Sequence, residues 1–181
     1  MPELITPTTA LHRAWIEQRD EWGRGVHQDG AGLRPDDDVD SPAGFEAWVR
    51  KLAAEEDPSV APVPGWVHCT YRWIVEDGRL AGAIALRHEL NDFLLEAGGH
   101  IGYGVRPSAR GRGLAVWALG AMLDVARDRG FDRVLVTCNV TNPASEAVIV
   151  RQGGVLEDVR ETSLGTLKRF WITLRPVAAS R

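Results

Sequence analysis

The chain has 181 residues and a net charge of −4, from 21 Lys and Arg against 25 Asp and Glu. That length fits one domain with a full core, and the acidic balance argues against a nucleic-acid-binding role, which rests on neutralising phosphates. Hydrophobic residues at 44% and charged residues at 25% are ordinary globular usage, so neither a disordered chain nor a membrane protein is indicated.

Residues 8–24 read as an amphipathic helix, with Leu11, Trp15 and Trp22 on one side. Residues 25–40 are polar, carry Gly, Pro and three consecutive aspartates, and read as a loop and as the stretch most prone to disorder. Ser41 followed by Pro42 is a helix start, and Phe45, Trp48, Val49 and Leu52 supply its apolar face. Prolines in 57–65 break the pattern. Val67–Val75 and Arg79–Leu86 read as strands around a Glu76-Asp77-Gly78 hairpin turn. Residues 88–98 fit a short helix or a structured loop.

His100–Val105 is the next predicted strand. Gly111–Asp128 is a long helix with Leu114, Trp117, Ala118, Ala121, Met122 and Val125 along one side and Gly130 as its C-cap. Val134–Cys138 is apolar enough for a strand buried on both faces. A helix over Asn142–Gln152 ends at Gly153-Gly154, and Val155–Glu161 and Thr166–Leu174 close the chain as strands. The order implies a mixed α/β sheet with helices on both faces. Cys69 and Cys138 lie in apolar strands and read as buried thiols of a reducing compartment. The start lacks the basic and apolar regions of a signal peptide, and no run of ~18 apolar residues exists, so a cytoplasmic protein with no membrane segment is expected.

The segment that carries chemistry runs from Ile101 to Ala115, IGYGVRPSARGRGLA. A strand ends near Val105, Pro107 turns the chain, and a helix begins. The first amides of a helix have no internal partners, and its dipole adds partial positive charge there. Gly111 and Gly113 let an anion approach the backbone closely, and Arg110 and Arg112 add charge suited to a diphosphate. No GxxxxGK[ST] sequence occurs, and Val116 stands where a dinucleotide fingerprint needs a third small residue.

Arg110-Gly111-Arg112-Gly113-Leu114-Ala115 meets the pattern Gln/Arg-x-x-Gly-x-Gly/Ala, and Asn142-Pro143-Ala144-Ser145 follows a strand at the right distance. Over residues 65–175 the chain resembles the GCN5-related N-acetyltransferases, the GNAT superfamily, and in HELN…GGHIGYGVRPSARGRG a bacterial subgroup of predicted acetyltransferases. The resemblance implies one N-acetyltransferase domain over 1–181. Residues 1–64 would form its acceptor side and 65–175 its CoA-binding core, on a mostly antiparallel twisted sheet with a splayed central parallel strand pair.

The resemblance further implies acetyl-CoA as cosubstrate and no metal. The diphosphate would rest on amides from Arg110, Gly111, Arg112, Gly113, Leu114 and Ala115, and the pantetheine arm on backbone groups near Val105. Asn142 and Ser145 would contact the cofactor, although Asn142 also fits a plain N-cap before Pro143. A primary ammonium is mostly protonated at neutral pH, so transfer to an amine needs a base. The family's strand glutamate is here His100, whose imidazole is a serviceable base, with Glu89 and Glu96 as alternatives. The two glycines beside His100, Gly102 and Gly104, would leave room for a substrate or water. The tyrosine that protonates the departing thiolate in many members is here Ile149, which leaves water, Tyr103 or Cys138 for that work. A small-molecule or peptide amine is the expected acceptor, and a homodimer follows from family habit. A non-catalytic acyl-CoA sensor and a phosphate-binding module are the competing readings.

Overall fold

Asp77 and Gly78 both have positive φ, 50° and 74°, the backbone that a two-residue hairpin needs to match the twist of its strands. They fold β2 (Cys69–Glu76) onto β3 (Arg79–Arg87). The computed structural model describes residues 1–174, and around this hairpin it builds one seven-stranded sheet. The other strands are β1 (Pro2–Ile5), β4 (Ile101–Val105), β5 (Arg133–Asn139), β6 (Val155–Thr162) and β7 (Gly165–Thr173). Their spatial order is β1-β2-β3-β4-β5-β7-β6, and every pair is antiparallel except β4 with β5. No helix among the described residues is long and apolar enough to cross a membrane.

Strand alternation sends successive side chains to opposite faces, and the two faces have separate cores. On one face α1 (His12–Trp22) and α2 (Pro42–Glu56) pack Trp15, Phe45, Trp48 and Leu52 against Trp73, Ala83 and Ala85. The rings of Trp15, Trp48 and Trp73 lie 4.5–6.0 Å apart, centroid to centroid. On the other face α3 (Leu114–Asp128) and α4 (Pro143–Arg151) bury Leu114, Ala118, Met122 and Ile149 against Ile74, Ile84, Ile101, Val136 and Phe170. Helices therefore cover both faces, as the element order implied. Ser41 caps α2 as expected, its Oγ accepting from the Gly44 amide at 3.0 Å with Pro42 in the first turn.

Three departures from the sequence expectations have physical causes. Four residues at the N-terminus form β1, which pairs along the outer edge of β2 from Pro2↔Glu76 to Ile5↔Trp73; so short a run carries no readable periodicity. The 25–40 stretch is packed rather than disordered. Gln28, Gly30, Ala31 and Val39 are buried, and its acids are used internally: Asp37 takes Lys51, Asp38 accepts from the amides of Asp40 and Ser41, and Asp40 takes Arg19. Finally, α3 starts at Leu114 and not at Gly111, because Gly111 and Gly113 hold φ of 74° and 80°, which no right-handed helix contains. The undecided 88–98 stretch ends in a π turn over Leu94–Gly98.

Gly30 has no room for a side chain. A β-carbon there would stand 2.5 Å from the Gly102 carbonyl oxygen and 2.8 Å from Ile84 Cα, whereas one on Gly25 would meet nothing. Both have positive φ, 79° and 76°, so both alanine variants carry about 1–2 kcal/mol of left-handed strain. Gly30→Ala should lose a further ~1–3 kcal/mol through overpacking, read as a lower urea midpoint than that of Gly25→Ala. Equal midpoints would mean that the loop does not rest on β4.

Candidate active site

The central feature is a split between two parallel strands. β4 and β5 share one register position, Ile101↔Val136. Just before it, His100 is tied to Leu135 twice: its amide donates to the Leu135 carbonyl at 2.7 Å, and its Nδ1 accepts from the Leu135 amide at 2.8 Å. The side chain thus takes an amide that would otherwise seek a carbonyl on β4. Past Ile101 the strands diverge, while β4 stays paired with β3 through Val105. Backbone groups of β4 that point toward β5 are left to face the gap.

The chain leaves β4 through a 3-10 turn over Pro107–Ala109. Glu21, at the end of α1, holds this turn. Its carboxylate accepts from Arg106 Nε at 2.6 Å, from the Ser108 amide at 2.5 Å and from Ser108 Oγ at 3.0 Å. Burial alone would raise its pKa, but these donors outweigh that and bring it down to about 2. Nothing local in the sequence distinguishes Glu21 from Glu17.

After this turn the backbone opens. Gly111 and Gly113 both adopt positive φ, with free space where a β-carbon would stand. No side chain caps α3, and Trp117 N is the amide that returns to Gly113 O, at 3.0 Å. The amides of Leu114, Ala115 and Val116 precede that bond and lie in the helix's positive end. The two arginines are not the free charges expected of them. Arg110 folds back, its Nε donating to the Val105 carbonyl at 2.9 Å and its guanidinium 4.9 Å over the Trp22 ring. Arg112, with a half-exposed side chain, pairs with Glu76 at 2.6 Å.

Across the split, the Tyr103 hydroxyl lies 2.8 Å from Ser145 Oγ and 3.3 Å from the Ser145 carbonyl oxygen. Burial pushes its pKa up to about 12, so it holds its proton. Asn142 caps α4, its Oδ1 accepting from the Ser145 amide at 3.1 Å. Ile149 is fully buried in the core beneath α4 and does not face the opening; Ser145, one turn earlier, takes that place. Cys138 is buried with its thiol pushed up to about 11, which leaves it unreactive at neutral pH.

The opposite face of β4 is not the open space that Gly102 and Gly104 suggested. A β-carbon on Gly102 would meet the Arg87 guanidinium and the Gly30 amide at 3.5 Å, and one on Gly104 the Asp29 carbonyl at 3.1 Å and Trp22 at 3.3 Å. Arg87 donates to the carbonyls of Gly98 and Gly99, at 2.9 and 3.2 Å. The π turn is held over β5 and β7 by Thr137 Oγ1 to Ala97 O, 2.7 Å, and by Arg169 to Leu95 O, 2.9 Å. Arg169, 2% exposed, also takes Asp158 and Glu157 from β6. His100 is buried among these groups, and burial followed by the charges of Arg87 and Arg133 lowers its pKa to about 4. Glu89 is exposed beyond the end of β3 that lies away from the glycine turn, and Glu96 is exposed on the π turn. The fold therefore brings Tyr103, Val105, the 110–115 turn, Asn142 and Ser145 to one split and leaves Glu89 outside it.

Among solved structures, RimL, a ribosomal L7/L12 alpha-N-protein acetyltransferase in complex with coenzyme A, matches with a TM-score of 0.70 and 19% identity over 96% of this chain and 94% of its own. The microcin C7 self-immunity acetyltransferase MccE, in complex with acetyl-CoA and AMP, gives a TM-score of 0.70 and 14% identity over 95% and 92%. The ribosomal-protein-S5-alanine acetyltransferase from Vibrio fischeri gives 0.73 and 13% over 96% and 93%. At these identities they share the fold: one mixed sheet, mostly antiparallel, with a single parallel pair. A search of curated protein sequences found no significant match. Residues 33–155, well over half of the chain, match the acetyltransferase (GNAT) domain family. The chain belongs to the GNAT acetyltransferase family.

Proposed function

We propose that the chain transfers an acetyl group from acetyl-CoA to an amine, and that it binds the diphosphate of CoA on the backbone amides of Gly111 to Ala115. The observation that carries this reading is the uncapped start of α3 behind two left-handed glycines, opening directly onto the β4–β5 split. Bound acetyl-CoA supplies an activated acyl carbon on a thiol leaving group. The chain's own residues do the rest. Backbone groups of β4 up to Val105 hold the pantetheine arm as an added strand would. Arg110 steadies the Val105 carbonyl and Trp22 rather than meeting the phosphates first. Asn142 orders the first turn of α4, so that Ser145 and Tyr103 stand together at the split. Tyr103 keeps its proton at neutral pH and is placed to donate it as the thiol departs. A non-catalytic sensor was motivated by the lack of a hydroxyl at Ile149, and the Tyr103–Ser145 pair removes that motive.

His100 fits a pin better than a base. Its Nδ1 is occupied by Leu135, and its depressed pKa makes it a weak proton acceptor at neutral pH. The acceptor amine would enter on the α1 and α2 side, among the 25–40 loop and the π turn. Peptide N-termini and small amines both suit such a site, and the acetyltransferases of similar fold include ribosomal-protein enzymes.

Two outcomes test this reading. Gly113→Asp places a carboxylate among the amides without striking any neighbour. Acetyl-CoA affinity by calorimetry should fall by roughly two orders of magnitude, ~2.8 kcal/mol, while circular dichroism shows a folded protein; unchanged affinity would overturn the cofactor assignment. For His100, a folded-state pKa of about 4 lies below the ordinary 6.5. As pH falls, the unfolded chain takes its proton first, so this stabilisation is complete above 6.5 and is lost as pH drops toward 4. His88, lowered to about 4 by burial, adds in the same direction. His100→Asn, which can still accept from Leu135 but cannot titrate, should show a smaller loss of melting temperature between pH 7 and pH 5 than the wild type. An equal loss would show that His100 is not held neutral.

A further inference from the structure

Residues 27–30 lie across β4, on the face opposite Tyr103. The Asp29 carbonyl rests beside Gly104, and the Gly30 backbone rests on Gly102. They cover β4 on the side of α1 and α2, where Gly30 also meets Ile84 and Ala83 of β3. Within this segment His27 Nε2 is 3.0 Å from Asp29 Oδ1, and both side chains are largely exposed. The loop is seated against β4 beside Arg87: a β-carbon on Gly102 would meet both the Gly30 amide and the Arg87 guanidinium at 3.5 Å.

The chain has five histidines, and four have structural work. His12 bonds the Val39 carbonyl, His68 the Val60 carbonyl, His88 the Thr70 hydroxyl and His100 the Leu135 amide. His27 alone among them pairs with a carboxylate. Donation from Nε2–H to Asp29 leaves Nδ1 as the basic atom, and it has no hydrogen-bond partner among the described residues. This is the arrangement of an oriented base: a carboxylate fixes the tautomer and stabilises the cation that forms.

We propose that His27, oriented by Asp29, is the general base that takes a proton from the incoming ammonium. The inference rests on the acetyl-transfer reading above and assigns the acceptor side of the same site. One proton passes from the ammonium nitrogen to Nδ1, freeing the lone pair that forms the new C–N bond. The C–S bond breaks, the sulfur takes a proton from Tyr103, and the second proton of the new amide nitrogen's former ammonium passes to solvent, from which Tyr103 is reprotonated. The facing groups are Asp29 on the same loop and Arg87 from β3; Arg24, nearby in the chain, is held by Asp20 and Asp40. Asp29 is the largest influence and raises the His27 pKa above 6.5, against burial and Arg87, which lower it.

Two surrogate nucleophiles test the assignment by thiol release from acetyl-CoA. Ethanolamine is protonated at neutral pH and needs a base, whereas hydroxylamine is already largely deprotonated. His27→Ala should slow the ethanolamine reaction by about 10²–10⁴-fold and the hydroxylamine reaction by far less, with acetyl-CoA affinity retained. Asp29→Asn should lower the His27 pKa, read from its imidazole NMR signals, and shift the ethanolamine pH profile with it. Equal slowing of both nucleophiles, or a His27 titration unmoved in Asp29→Asn, would overturn the proposal. Tight acetyl-CoA binding by the wild type with no thiol release to either nucleophile would overturn the transfer reading and the base with it. Loss of ethanolamine turnover only in His100→Asn would return the role to His100.

Discussion

A parallel strand pair that ends after one register position leaves backbone donors and acceptors with no neighbour, and buried groups of that kind are costly. The rest of the site follows from this constraint. β4 keeps its full ladder with β3, so the strand stays straight, and the unpaired side faces a gap that an extended, amide-bearing chain can enter. His100 pins the strands together just before they part, because its amide and its imidazole both bond Leu135. A histidine in this position does by geometry what its titration does not.

The split would be of little use if the turn beyond it moved freely. Glu21 prevents that by joining the end of α1 to Arg106 and Ser108, residues 85 and 87 positions away in the chain. Removing one partner of such a part-buried charge pair leaves the other uncompensated, and that penalty exceeds the net worth of the pair. The same carboxylate sets the height of the turn from which Gly111 and Gly113 open, and it places Trp22 where Arg110 can lie over it. The N-terminal helix is therefore part of the support of the glycine turn.

The glycine turn and the start of α4 were legible because their backbone signals are local. Arg110 to Ala115 and Asn142 to Ser145 are short runs whose turn and cap geometry follow from their own order, and the strands and helices around them have clean periods. What was illegible came from distant pairs. Nothing in the sequence joins Glu21 to Ser108, Tyr103 to Ser145, or Arg169 to Leu95. The loop at 25–40 read as disordered because its acids look alike in sequence, yet Lys51, Arg19 and the Ser41 amide each claim one of them. His27 was overlooked for the same reason: a histidine in a polar loop carries no signal until the fold lays that loop across β4. His100 drew attention because its chain position matched a family pattern, but burial beside Arg87 and Arg133 decides its protonation.

The placement of β1 has a consequence for how this protein can vary. Ile5 and Trp73 stand opposite each other on neighbouring strands, about 4.8 Å apart across the ladder, so residues 6–68 leave the sheet and return to the same edge. The α1–α2 segment is thus a closed excursion bearing its own aromatic core. It can exchange surface residues, lengthen its loops or alter its acid pattern without changing the register of the strands that frame the split. Two links bind it to β4 and the turn beyond: the end of α1, through Glu21 and Trp22, and the 27–30 crossing. A descendant of this chain could keep those two links, rewrite the remainder, and acquire a different acceptor on an unaltered chemical platform.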